Sequence, residues 1–186
     1  MANHEHYRWL LPAIASGNCR NWNFWRIDNP ELLPSLIAVE LGELNLPFID
    51  LSRADLRHSN LSGTNLFHSN LQRADLSRAN LRNAYLREAD LSGAYLRDTN
   101  LTNADLRDAN LTGADLTGAR LAGVDMTGAN LKNIKLGNRS TVAEAQFGEG
   151  VSLLERAALC LTKFKLHEKT KRPAAAKCPA DVEKRH

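Results

Sequence analysis

An apolar residue returns at every fifth position from Leu36 to Leu136, as twenty leucines and Met126, with no insertion in the run. A strict internal repeat constrains the architecture more than any other feature of a chain. A second column stands two residues before the first. From Ala54 it runs through Ala74, Ala79, Ala84 and Ala89 to Ile134, and every member is small or β-branched. Five is an awkward period for ordinary elements. On a helix, at about 100° per residue, successive leucines would lie about 140° apart and form no stripe. On a strand of period two, an odd spacing sends them to alternate faces. They share one interior only if each unit takes a short extended step and the chain then turns a corner in the same sense. The small residue and the leucine then point inward, and the other three residues face water.

The corners carry matching chemistry. Gly63, Asn83, Gly93, Asn103, Gly113, Gly118, Gly123, Gly128 and Asn133 each follow a leucine-column residue by two. If that residue opens a type II turn, this is the third position, which needs positive φ and favours Gly or Asn. The units Ala54-Asp55-Leu56, Ala74-Asp75-Leu76, Ala79-Asn80-Leu81, Ala104-Asp105-Leu106 and Ala109-Asn110-Leu111 follow A-(D/N)-L-x-x. In this the chain resembles the pentapeptide-repeat proteins. The resemblance implies an all-β fold, a right-handed quadrilateral β-helix with four units to a coil. Residues twenty apart would then stack at the strand spacing of about 4.8 Å, giving five coils and a rod of roughly 25 Å.

Four segments are expected. Residues 1–35 form an N-terminal helical cap, 36–140 the repeat β-helix, 141–168 a loop and C-terminal capping helix, and 169–186 a disordered basic tail. The first segment holds Trp9, Trp22 and Trp25. It reads as helices over Tyr7 to Ala15, with Pro12 in the first turn, and Asn21 to Ile27, ending before Pro30. Solenoid ends need covering, because an open coil exposes unpaired backbone and apolar surface. A ligand or partner site is the alternative reading of this aromatic cluster. The units from Leu36 to Phe48 carry Val39, Leu44 and Ile49 inside, which predicts a wider or looser first coil. After Leu136 the repeat breaks, with one unit out of phase at Ala145-Gln146-Phe147. Beyond it, Ser152 to Glu155 is a capping box opening an amphipathic helix over 153–168. Covering the last coil is one role for that helix, and forming a homodimer through this terminal cap is the other.

Chemistry is sparse by comparison. His58 and His68 are ten residues apart, two sides of a square, and face opposite ways. No phosphate loop, CxxC pair or nucleophile elbow occurs. The reading is therefore no catalytic residues, no cofactor and no metal. Cys19, Cys160 and Cys178 are scattered and odd in number, which suggests reduced thiols and a cytoplasmic protein. No apolar run is long enough for a membrane span. A net charge of +3 is too mild to point to direct nucleic-acid binding. Some pentapeptide-repeat proteins are known as DNA mimics that bind gyrase. That role needs a strongly acidic rod, whereas residues 36–140 carry 12 acidic and 12 basic side chains. The resulting expectation is a non-enzymatic protein-binding module, a rigid rod presenting one face to a protein partner. A topoisomerase-binding mimic, or another nucleic-acid-linked regulator, is the alternative.

Stacking by twenty singles out one face. The side bearing Leu46, Leu66, Leu86 and Leu106 shows Phe48, Phe67, His68, Tyr85, Arg87 and Arg107 on its outside. Aromatics with arginine on an otherwise polar rod have the composition of an interaction hot spot. A competing reading has Trp22 or Trp25 fold down over Phe48 and Phe67 as an internal staple. The inward assignment of the leucine column is tested by Leu91→Asp. It would bury an unpaired charge and should abolish folding, leaving no cooperative melting transition.

Overall fold

The structure, a computed structural model, describes residues 4–137 and 145–147. Parallel bridges join residues twenty apart, from Ser35 with Asp55 to Asp115 with Lys135, in four separate ladders. Four ladders make four sides, so the repeat is a quadrilateral parallel β-helix of twenty residues per coil. Three hydrogen bonds per unit link adjacent coils. In the unit of Leu51, Leu51 N–H donates to Asn70 O, Arg53 N–H to Gln72 O and Asp55 N–H to Pro34 O, each at 2.8 Å. A fourth bond, Ala54 N–H to Leu51 O at 3.1 Å, closes the corner.

Each corner is the expected four-residue turn with positive φ at its third position. That conformation is not confined to the Gly and Asn positions. Arg53, His58, Phe48 and Glu88 adopt it too, with φ of 57°, 61°, 60° and 59°. A left-handed conformation costs an ordinary residue about 1–2 kcal/mol. Against this stand three inter-coil bonds at about 0.5–1.5 kcal/mol net each, and a buried leucine at about 1.5–3 kcal/mol. The ladder wins, so a strict repeat can force conformations that no single unit would choose.

The leucine column is fully buried from Leu36 to Leu96, and the alanines beside it are buried with it. Four hydroxyls lie among them. Ser59 Oγ donates to Leu36 O at 2.9 Å, Thr64 Oγ1 to Leu41 O at 2.7 Å, and Thr99 Oγ1 to Leu76 O at 2.8 Å. Ser69 Oγ is buried with no hydrogen-bond partner. The first coil keeps the twenty-residue register of the others in its bridges.

Two helices precede the coils, α1 (His4–Ser16) and α2 (Arg20–Asp28). Helix α1 starts three residues before the expected Tyr7, so Pro12 lies inside it rather than in its first turn. Ser16 Oγ donates to the Pro12 carbonyl at 2.6 Å. Between the helices Gly17 supplies the break, at φ 65°. Side chains of both helices meet backbone groups of the first coil that have no preceding coil to bond. Trp22 Nε1 donates to Asp50 O at 2.6 Å, and Asn23 Oδ1 accepts Asp50 N–H at 2.9 Å. Arg26 Nη2 donates to Ser52 O at 3.0 Å, and His6 Nδ1 accepts Ser35 N–H at 3.0 Å.

At the other end β1 (Asp125–Met126) pairs in parallel with β2 (Gln146–Phe147). Asp125 faces Gln146, an offset of 21 in place of twenty, so this unit is displaced by one residue as its sequence suggested. The expected helix over 153–168 and tail over 169–186 lie outside the described residues. The unpartnered hydroxyl yields a contrast. Ser69→Ala should leave the melting temperature unchanged or raise it. Thr99→Val, which removes a made bond, should cost about 1 kcal/mol by denaturant titration.

Candidate functional site

Three of the six face residues come together as one ring cluster. Phe48 and His68 occupy the positive-φ position of stacked corners, while Phe67 sits one residue earlier. Phe48 N–H donates to Phe67 O at 2.8 Å and His68 N–H to Arg87 O at 3.1 Å, so the ladder itself sets their spacing. The Phe48 ring stacks on His68, centroids 5.5 Å apart and 10° between planes. Phe67 meets both edge-on, at 5.9 Å and 4.3 Å. Such offset and edge geometries suit the ring quadrupoles.

The outer part of this cluster is open to solvent. Phe48 is 59% exposed and Phe67 is half-buried, and Asn23 Nδ2 of the N-terminal segment donates to Phe48 O at 2.8 Å. Trp22 and Trp25 pack against each other at 5.1 Å and leave the Phe48 ring uncovered. No internal staple forms.

The other three residues divide. His68 Nε2 lies 2.8 Å from Glu88 Oε2, which places Glu88 next to the rings. Arg87 Nε is 3.4 Å from Glu88 and 3.6 Å from Asp108, both long enough to leave donors available. Arg107 is held by Asp105 through two bonds of 2.8 Å and 2.6 Å. It is the least available member of the face. Tyr85, 56% exposed, stands at the edge of a groove of about 390 Å³ lined by Glu43, Gly63, Asn83, Asn103 and Asp105. Sequence reasoning misses this groove. Its signal is the column Glu43, Gly63, Asn83, Asn103, in which a glycine interrupts three polar side chains. A second groove, about 520 Å³, lies on the N-terminal segment beside Trp9, Trp25, Pro12 and Leu32.

The acidic column of Asp55, Asp75 and Asp115, elsewhere on the rod, is paired with arginine. Arg57 bonds Asp55 at 2.7 Å and lies 3.7 Å from Asp75, and Arg97 bonds Asp115 at 2.7 Å. The Arg57 side-chain bond holds the Asp55 carboxyl below its ordinary value. Arg107 does the same for Asp105. For the 4% exposed Asp115, burial pushes the carboxyl up, but bonds from Thr117 and Arg97 together outweigh it and leave it lowered. No group of His, Cys, Asp and Glu that could hold a metal ion occurs among the described residues.

A four-sided β-solenoid with a leucine column and a small-residue column inside defines a class of repeat protein. Residues 35–73, 65–108 and 104–138 match the family described as Pentapeptide repeats (8 copies), which spans more than half of the chain. The protein belongs to the pentapeptide-repeat family. Among solved structures it is similar to a trypsin-treated form of QnrB1, a plasmid-mediated fluoroquinolone resistance protein. The two share 20% identity over 72% of this chain and 74% of that one, with a TM-score of 0.54. It is also similar to the pentapeptide-repeat protein Rfr23 from the cyanobacterium Cyanothece 51142, at 28% identity, 70% and 96% coverage and TM-score 0.37. A pentapeptide-repeat protein from the Arabidopsis thaliana thylakoid lumen matches at 26% identity, 69% and 75% coverage and TM-score 0.31. No curated protein sequence matches significantly. The fold of these neighbours is a right-handed β-helix, and such proteins are in general structural or interaction modules. No helix among the described residues is long and apolar enough to cross a membrane.

The lowered carboxylates imply a definite acid response. A carboxylate whose folded value is depressed contributes stability above its unfolded value, and that contribution is lost as pH falls through the folded value. Melting temperature should therefore hold at neutral pH and decline below about pH 4. Asp115→Asn should start lower and decline less steeply over that window.

Proposed function

We propose that the protein is a non-enzymatic interaction module whose rod presents the Phe48, Phe67, His68, Tyr85, Arg87 and Arg107 face to a protein partner. The observation that carries this reading is the ring cluster of Phe48, Phe67 and His68. Phe48 and His68 are exposed and Phe67 is half-buried beside them, all held by ladder hydrogen bonds on an otherwise polar solenoid. Backbone that is already fixed loses little conformational freedom on binding, which favours affinity from a small contact. Phe67, Tyr85 and Arg87 serve as anchors, because Arg107 is engaged by Asp105. In this reading α1 and α2 are the N-terminal cap, supported by their bonds to Ser35, Asp50 and Ser52. A cytoplasmic setting is supported by Cys19, an unbridged buried thiol that burial pushes up to about 11. DNA mimicry gains little support, since two of the three acid columns, Asp55–Asp75–Asp115 and Asp105–Asp125, are paired with Arg57, Arg97 and Arg107.

The test is a partner captured from native lysate and titrated against Phe67→Ala/Tyr85→Ala/Arg87→Ala. The triple variant should keep its melting temperature and lose at least tenfold in affinity, about 1.4 kcal/mol or more. Full affinity in a folded variant would remove this face and leave the terminal segments as the binding surfaces.

A further inference from the structure

The arginines of the rod are not alike. Arg57, Arg97 and Arg107 each lie within 2.7 Å of a carboxylate. Arg53, Arg73 and Arg78 are exposed, and none makes an ion pair among the described residues. They are also stacked. Arg53 and Arg73 are twenty residues apart and occupy the same corner of successive coils, about 4.8 Å from strand to strand. His58 stands above Arg78 in the next corner. The turns hold these positions at φ of 57°, 55°, 61° and 61° for Arg53, Arg73, His58 and Arg78. Like charges directly opposite on neighbouring strands destabilise a sheet. Arg53 and Arg73 thus form a stacked cationic pair without ion pairs among the described residues, while in the next column Asp98 follows Arg78 by twenty residues.

Nearby acids keep their charge, but among the described residues none pairs with these arginines, and each is held by a local bond. Asp50 Oδ1 accepts Ser52 N–H at 3.0 Å. Asp90 accepts Ser92 N–H at 2.9 Å and a bond from Gln72 Nε2. Asp55 is taken by Arg57, and Asp75 Oδ1 accepts Ser77 N–H at 3.0 Å.

The strip continues into apolar surface. Arg53 Nη1 reaches Pro30 O at 3.5 Å, and Arg26 bridges Leu32 O at 2.8 Å to Ser52 O at 3.0 Å. Leu33 is twenty residues before Arg53, in the register set by the Ser35–Asp55 bridge. Leu33 and Ile27 are 54% and 70% exposed. Three arginines without ion pairs among the described residues therefore lie beyond the exposed Leu33, which heads the Arg53–Arg73 column.

We infer that this side is a second docking surface, which takes an acidic protein segment with aliphatic residues at one end. Carboxylates of the segment pair with Arg53, Arg73 and Arg78, whose planar forks suit two-point binding of carboxylate. Its aliphatic end covers Leu33 and Ile27. A continuous phosphate backbone fits less well, because Asp55 and Asp75 stand between the Arg53–Arg73 and His58–Arg78 columns. A peptide can space its carboxylates to avoid them.

The probe is a fluorescent synthetic peptide of alternating glutamate and serine with two leucines at one end, read by anisotropy against the full chain. Binding should weaken as salt rises, and Arg53→Glu/Arg73→Glu/Arg78→Glu should reduce affinity tenfold or more. The basic C-terminal stretch is common to both proteins, so the difference reports the strip. Leu33→Ser should weaken the leucine-bearing peptide and leave a leucine-free one unaffected. Phe67→Ala/Tyr85→Ala/Arg87→Ala should change nothing here, which separates this surface from the aromatic face. If the triple reversal does not fold, single glutamine variants carry the same comparison. Arg73→Gln should also raise the melting temperature of the free protein at low salt by relieving the stack. Full affinity in the folded reversal variant overturns the inference. So does tighter, arginine-dependent binding of an oligonucleotide of equal charge, or a lowered melting temperature for Arg73→Gln.

Discussion

Everything on this rod depends on the hydrogen bonds between coils. Each unit gives two N–H groups to the coil after it and one to the coil before it, as Leu51, Arg53 and Asp55 do. That pattern fixes the length of a coil at twenty residues and stacks equivalent positions directly. The leucine interior makes the ladder worth forming, but a dry apolar core alone would tolerate slippage. The ladder removes it, since a slip of one residue would turn leucines outward and break three bonds per unit.

This division of labour explains the surface. Interior positions have almost no latitude, so diversity collects at the three outward residues of each unit. There the fold accepts nearly anything, even Phe48, Arg53 and Glu88 in left-handed conformation. Function on such a scaffold is a matter of which side chains share a column. Phe48 with His68 makes an aromatic patch, whereas Arg53 with Arg73 makes a cationic one.

The fold was legible in the sequence because the period excluded both standard elements and the small-residue column pointed inward. The columns of the candidate face were legible only through the family resemblance, which implied four units to a coil; the period of five by itself left the number of sides open. What escaped the sequence was side-chain direction. Phe48, Phe67 and His68 could have been covered by the tryptophans, and only the bond from Trp22 to Asp50 O shows where that helix turns. The engagement of Arg107 by Asp105 was equally hidden, because Arg87 stands in the same column beside Tyr85 rather than beside an aspartate. Pro12 inside α1 misled through local rules, which took the helix start from the proline and ignored His4, Glu5 and His6, which belong to the helix.

The mismatch between a five-residue unit and a twenty-residue coil has a consequence for how such a chain can change over generations. Gaining or losing one whole coil lengthens or shortens the rod and leaves every column beyond the change on its original side. Gaining or losing a single unit preserves the core and the ladder but rotates all later columns by a quarter turn. A five-residue duplication between the Phe67 unit and the Arg87 unit would thus carry the arginine round to a different side from the rings. Small, well-folded insertions can in this way rewire a surface at one stroke, while point substitutions edit it a residue at a time.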